Sequence, residues 1–163
     1  TVPVVIAPGN IIVAATDANG TAATDVAITT FLAAATAIDG VDEPITSVSN
    51  DAPNPFPLGL TTVTFSVLDQ AGNEGSAQAT VNVTDQTKPE IILVGEGSIT
   101  INVGDSYSDQ GATAADNVDG DITNGIQMTG SVDTTTVDTY TLTYIATDAA
   151  GNESEALTRR ILW

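Results

Sequence analysis

Hydrophobic residues recur along this chain with a period of two. In TTVTFSVLDQAGNEG (61–75), Val63, Phe65 and Val67 alternate with Thr62, Thr64 and Ser66. In YTLTYIATDAAGNES (140–154), Leu142, Tyr144 and Ala146 alternate with Thr141, Thr143 and Thr147. Successive side chains of a strand point to opposite faces, so the pattern predicts strands with one buried face rather than helices. Each run ends in D-x-A-G-N, after which Ala77, Ala79, Val81 and Val83 begin a second alternating run in the first copy. Two such runs joined by a short Gly-Asn loop predict a β-hairpin. The last run, EALTRRILW (155–163), has an ambiguous register: Arg159 and Arg160 are adjacent, and one of them must face out.

The two hairpins are copies. They align at a constant offset of 79, and DGVDEPIT (39–46) aligns with DNVDGDIT (116–123) at an offset of 77. Further upstream VPVVIAPGNIIV (2–13) echoes KPEIILVGEGSITI (88–101), with Pro3 and Pro89 standing 86 apart. The shrinking offset places extra residues in the first copy, most simply in TDVAITTFLAAATA (24–37), as a longer loop or a short helix. A boundary falls in VTDQTKPE (83–90), where four polar residues follow Val83 and Pro89 starts a new extended run. The expected domains are 1–85 and 86–163, joined by a short stretched linker that favours a rod over independent beads. Turn signals divide each half into about seven strands, which predicts an all-β chain of two tandem immunoglobulin-like β-sandwiches. Domains this small bury only about 60–65% of their unfolded surface and need extra fastening, yet the chain has no cysteine to provide a disulfide.

Composition narrows the chemistry. Three Lys and Arg stand against 21 Asp and Glu, a net charge of −18. A nucleic-acid-binding face needs clustered basic residues, and Lys88, Arg159 and Arg160 are the whole supply, so a nucleic-acid partner is excluded and an anionic membrane would repel the chain. Divalent cations are one remedy for such self-repulsion, and simple solubility in a salty medium is another. With no His and no Cys, zinc, haem, iron–sulfur and thiol chemistry lose their usual ligands, and a Ser or Cys triad lacks its base. No signal peptide or membrane span is present, so no membrane insertion is expected. The abrupt start at Thr1-Val2-Pro3 predicts a processed product or an excised fragment.

Two sets of motifs carry a family resemblance. APGNII (7–12) and FPLGLTTVTFSVLDQAGN (56–73) resemble the hyalin-repeat (HYR) domain, with Ala7 where animal members commonly carry Cys. TKPEIIL (87–93), YSDQGATAAD (107–116), DGDIT (119–123) and TYTLTYIATDAAGN (139–152) resemble, in order, the bacterial surface immunoglobulin-like domain. Both resemblances imply Greek-key sandwiches used as stalk or accessory modules of large secreted or cell-surface proteins, with no catalysis. Localisation is then extracellular or at the surface of a bacterial cell.

In a seven-strand sandwich the loop between the second and third strands and the loop of the last hairpin lie at the end where the chain enters. In the second half those loops are DNVDGD (116–121) and DAAGNE (148–153), and the linker carries Asp85. Asp85, Asp116, Asn117, Asp119, Asp121 and Asp148, with Glu153 nearby, are therefore expected to converge between the halves. Clustered carboxylates repel strongly and must take up protons or bind a hard cation; calcium takes six to eight oxygen ligands at about 2.3–2.6 Å. The first-half counterparts are Asp39, Asp42, Glu43, Asp69 and Glu74, an incomplete set because its linker acid would lie upstream of Thr1. The alternative reading is purely architectural. D-x-A-G-N is a good hairpin turn, with Asp and Asn bonding nearby amides and Gly supplying a positive φ. DNVDGD also fails the EF-hand spacing, with Gln127 where the bidentate Glu belongs.

Smaller features complete the reading. Asp17, Asn19 and Asp25 suit a turn around Asn19-Gly20. Tyr140 is placed to act as a tyrosine corner, which its counterpart Thr61 cannot do. The sequence thus predicts a non-catalytic structural or adhesive module, a stalk, adhesin or filament segment rigidified by calcium. Its partners would be neighbouring immunoglobulin-like domains, and in one version the Pro3–Val13 strand completes a neighbour's sheet edge. A carbohydrate-binding accessory module, with glycan as surface ligand, is the alternative; it needs exposed aromatics, and only seven aromatic residues are available.

Overall fold

The alternating runs become the long strands at the centre of each half. The computed structural model describes residues 1–40, 45 and 47–163, and contacts divide the chain into two units, Thr1–Asp85 and Gln86–Trp163. Both are all-β immunoglobulin-like sandwiches whose first strand is split between two sheets.

In the first unit the described strands are β1 (Val4–Ile6), β2 (Ile11–Ala14), β3 (Thr36–Ile38), β4 (Ser49–Asn50), β5 (Gly59–Leu68) and β6 (Glu74–Thr84). One sheet pairs β1 with β3, and the other runs β2-β6-β5-β4. The hairpin of β5 and β6 is antiparallel from Gly59 opposite Val83 to Leu68 opposite Glu74. Its inward positions Val63, Phe65, Ala79, Val81 and Val83 are buried, as period two requires. β2 lies parallel to β6, Ile11 opposite Val81 and Ala14 opposite Thr84. The chain from Pro3 through Val13 is therefore built into its own unit. Just before β1 the chain passes so close to β6 that a Cβ on Gly75 would lie 2.0 Å from the Pro3 carbonyl oxygen.

The extra residues of the first copy fold as a helix, α1 (Val26–Ala33). Asp25 caps it, its Oδ1 accepting from the amides of Ala27 at 2.8 Å and Ile28 at 3.5 Å, the usual role of Asp at this position. The helix buries Ile28 and Phe31. The Phe31 ring meets Phe65 edge-on, 5.7 Å between centroids and 67° between planes, the favoured aromatic geometry.

The second unit comprises β7 (Glu90–Leu93), β8 (Ser98–Thr100), β9 (Ala112–Asp116), β10 (Gly120–Asp121), β11 (Gln127–Thr129), β12 (Thr139–Ile145) and β13 (Leu157–Leu162). Its sheets run β10-β9-β7 and β11-β12-β13-β8. The register of the last strand is settled by Leu142 standing opposite Arg159: Arg159 faces inward and is fully buried, whereas Arg160 is exposed. Leu142, Tyr144 and Ile161 form the centre of the core, with Ile91, Leu93, Ile101, Tyr107 and Tyr140 packed around them. The Tyr140 hydroxyl donates to the Thr136 carbonyl at 3.0 Å, a tyrosine corner that braces the entry to β12.

Candidate functional site

The two D-x-A-G-N loops have the same internal geometry. In the first unit the Asp69 carboxylate accepts from the Asn73 amide at 2.8 Å and from Asn73 Nδ2 at 2.7 Å. In the second, Asp148 accepts from the Asn152 amide at 2.7 Å and from Asn152 Nδ2 at 2.8 Å. Gly72 and Gly151 take φ of +85° and +93° with open space around the missing Cβ. Glycine is needed there for the backbone conformation alone. Both aspartates are largely buried, 8% and 7% exposed. The Asn73 side chain, with backbone amides assisting, holds the Asp69 carboxyl below its ordinary value against the opposing effect of burial.

The acids of the second unit divide into two groups. Asp116 ends β9, and its Oδ1 accepts from the amides of Val118 at 2.7 Å and Asp119 at 3.1 Å. Its Oδ2 is buried and receives no hydrogen bond. Asp119 reaches across to the last hairpin, where its Oδ2 accepts from the Ala149 amide at 2.7 Å. The loops 116–121 and 148–153 therefore meet, and carboxylate oxygens of Asp116 and Asp119 lie within 4.8 Å of each other. Two carboxylates at that range repel, and a buried oxygen without a donor adds a desolvation penalty. Asp121 and Asp148 direct their oxygens elsewhere: Asp121 Oδ1 accepts from the Thr123 amide at 2.9 Å, and both Asp148 oxygens face Asn152. The hydroxyl and amide of Thr123 hold the Asp121 carboxyl below its ordinary value. Asn117 and Glu153 are exposed, and Asp85, half-buried, is the last residue of the first unit.

In the first unit Asp39 is buried and accepts a hydrogen bond from the Thr1 hydroxyl. Glu74 is exposed at the start of β6. Among the described residues Asp39 and Asp69 do not gather with a third acid; Asp42 and Glu43 lie outside the described residues.

The most heavily bonded side chain of the second unit was not singled out by sequence reasoning. Arg159 donates to the carbonyls of Glu96 (Nε, 3.1 Å), Gly111 (Nη2, 3.1 Å) and Val94, and to Asp109 Oδ1. The same Asp109 oxygen accepts from Tyr144 at 2.8 Å and Tyr107 at 3.0 Å, while Oδ2 takes the Gly111 amide at 2.9 Å. Burial acts to raise the Asp109 carboxyl, but the bonds from Tyr144, Arg159 and Tyr107 outweigh it and hold the carboxyl below its ordinary value. Burial, with the neighbouring Asp109, pushes the Tyr144 phenol up to about 12. The signal was present: Tyr107, Asp109 and Gly111 lie in YSDQGATAAD, one of the stretches that carry the family resemblance. An Arg at an inward position of the last strand could pair with them.

Two disulfide-free sandwiches, each with a divided first strand and an Asp–Asn-braced final hairpin, define a tandem immunoglobulin-like module. Through residues 1–83 the chain belongs to the HYR domain family, and residues 91–162 match the family described as bacterial surface protein, Ig-like domain. Over 110 residues, 61% of this chain, it is 28% identical to a serine-rich adhesin for platelets from Staphylococcus aureus, covering 5% of that protein. The corresponding adhesin of strain MRSA252 is also 28% identical, with 8% of its length covered. The chain thus spans less than a tenth of these relatives. Among solved structures, the lipoprotein BT2262 from Bacteroides thetaiotaomicron is 30% identical over 45% of this chain and 36% of its own, with a TM-score of 0.41. Residues 91–162 are thus similar to a module of bacterial surface proteins. No helix among the described residues is long and apolar enough to cross a membrane.

Proposed function

We propose that this chain is a stalk segment of an extracellular bacterial surface protein, holding an adhesive region away from the cell, and that calcium stiffens it. The ion would be held by Asp116 and Asp119, with backbone carbonyls and water completing the oxygen shell that calcium demands. The observation that carries the calcium reading is the Asp116–Asp119 pair, two carboxylates within 4.8 Å of each other, one of which keeps a buried oxygen without a donor. A divalent cation removes both penalties at once. Asp121, Asp148 and Asn117 then serve as loop-shaping residues around the ion. The match of residues 91–162 to a bacterial surface-protein module supports the stalk, and adhesion of the whole protein is the role the named relatives bring to the proposal.

The aromatic residues weigh against the glycan-binding alternative. Phe31, Phe56, Phe65 and Tyr144 are buried, and Tyr107, Tyr140 and Trp163 are half-buried. Among the described residues none of the aromatic rings is exposed as a sugar-stacking row would need.

The test is thermal melting with calcium against chelator, read beside solution scattering. Calcium is expected to raise the melting temperature and narrow the distribution of scattering sizes, and Asp116→Asn with Asp119→Asn is expected to abolish both responses. A melting curve and scattering profile that ignore calcium would sink the metal reading and leave the acids as turn and solubility residues.

A further inference from the structure

Strands β8 and β13 are the elements through which tension entering and leaving the second unit must pass. They run parallel, with Arg160 opposite Ser98, Ile161 opposite Ile99 and Leu162 opposite Thr100. The ladder is extended at both ends by Arg160 N to Gly97 O at 2.9 Å and Ile101 N to Leu162 O at 3.0 Å. When a chain is pulled from its two ends, neighbouring parallel terminal strands are driven in opposite directions along a common axis. Every bond between them then bears load at once, instead of opening one after another as in a zipper. β2 and β6 have the same parallel relation in the first unit.

The second unit adds something the first lacks. The position opposite Leu142 is Arg159, and the corresponding position opposite Val63 in the first unit is Ala79. From β13 the guanidinium holds the carbonyls of Val94 and Glu96, in the segment between β7 and β8, and the Gly111 carbonyl and Asp109 carboxylate just before β9. The segment 94–97 is where tension passes from β7 into β8. Arg159 is 0% exposed, so water cannot easily replace its partners one at a time, and its bonds are of the strong charge-assisted kind.

We propose that Arg159 is the mechanical clamp of the second unit, a load-bearing tie that fixes the entry segment 94–97 to the exit strand β13 and resists shear between the terminal strands. Its use rests on the stalk reading, but the clamp itself does not, and it can be tested without calcium. The experiment is single-molecule pulling of the whole chain from its ends in chelator, at constant force. The variants are Arg159→Met, which removes the tie, and Arg159→Lys, which keeps a charge but cannot reach several carbonyls at once. Leu142→Ala serves as a control that weakens the same core without touching the tie. Forced unfolding reports the unfolding rate. That rate is expected to rise about tenfold or more for the second unit in Arg159→Met, the loss of one or two charge-assisted bonds, and by a smaller factor in Arg159→Lys. The rise in both should exceed that of Leu142→Ala after correction for equilibrium stability. Rates unchanged, or raised no more than the stability loss of the Leu142→Ala control accounts for, would overturn the clamp and reduce Arg159 to a core residue. Either result leaves the calcium and stalk readings where they stand.

Discussion

Replacing Asp109 by alanine tests whether the polar centre of the second unit is a buried network or an ordinary ion pair. Asp109 accepts four hydrogen bonds, from Arg159, Tyr144, Tyr107 and the Gly111 amide, and its side chain is only 19% exposed against 0% for Arg159. Removing it strands a guanidinium in the core together with two phenols. Breaking a buried pair from one side typically costs about 3–5 kcal/mol because the remaining charge is left uncompensated. A domain of this length holds roughly 4–12 kcal/mol in all. At about 4–8 °C per kcal/mol for such a size, the second unit should melt at least about 12 °C lower. The assay is convenient: Trp163 is the single tryptophan and lies in the second unit, so its fluorescence follows that unit alone while calorimetry follows both. Asp109→Asn, which keeps the shape, should cost less than the alanine variant. A loss below about 1 kcal/mol for Asp109→Ala, the range of exposed pairs, would refute the reasoning. So would an equal fall in the melting of the first unit.

The same network gives the second unit a pH signature at each extreme. Asp109 titrates below its ordinary 3.8 when folded, so its contribution is complete above about pH 4 and is lost as pH falls through the folded value; acid melting of the second unit should flatten in Asp109→Asn. Tyr144 titrates near 12 when folded against 10.0 unfolded, so its contribution is complete below pH 10 and is lost between about 10 and 12. Tyrosinate absorbance should show one of the three tyrosines ionising only as the unit unfolds. In the first unit, Phe31→Ala removes the ring packed on Phe65 and is expected to cost about 3–5 kcal/mol, read as a fall in the first transition with Trp163 fluorescence unchanged. Asn152→Ala leaves a largely buried carboxylate oxygen without its donor and should destabilise the second unit by about 1–2 kcal/mol. Asn73→Ala should lower the first transition only.

The sequence pattern was most legible where one physical rule acts locally. Period two located β5, β6 and β12 because each has one buried face, and D-x-A-G-N located the hairpins because Gly72 and Gly151 must take positive φ. That the loops 116–121 and 148–153 meet followed from the topology of a seven-strand sandwich, and Asp119 bonded to Ala149 is the contact that realises it. Local rules could not say where an individual carboxylate aims. Asp148 was counted among candidate ligands by its position, yet its oxygens are turned to Asn152 four residues away, a choice set by the turn itself. The register of β13 was undecidable from EALTRRILW for a related reason. The residues that make an inward Arg159 tolerable are Asp109 and the carbonyls of Val94, Glu96 and Gly111, 48 or more positions upstream.

The two copies solve one packing problem in different currencies. Phe65 and Tyr144 occupy equivalent positions, as do Ala79 and Arg159, opposite Val63 and Leu142. In the first unit the position is the small Ala79, and Phe65 packs instead against a second ring, Phe31 from the inserted helix. The second unit has no α-helix in the corresponding stretch, and the Arg159 guanidinium lies by the ring, 5.8 Å from the Tyr144 centroid. An apolar filling needs no partners, so the first copy could dispense with the Tyr, Asp and Arg together. The polar filling is all-or-none: every donor must find its acceptor or the centre becomes a liability. That demand explains why Tyr107, Asp109, Gly111, Tyr144 and Arg159 occur as a set in the second copy, while their first-copy counterparts Phe65 and Ala79 are apolar. It also explains why substituting one member of the set should harm the unit more than any single surface acid.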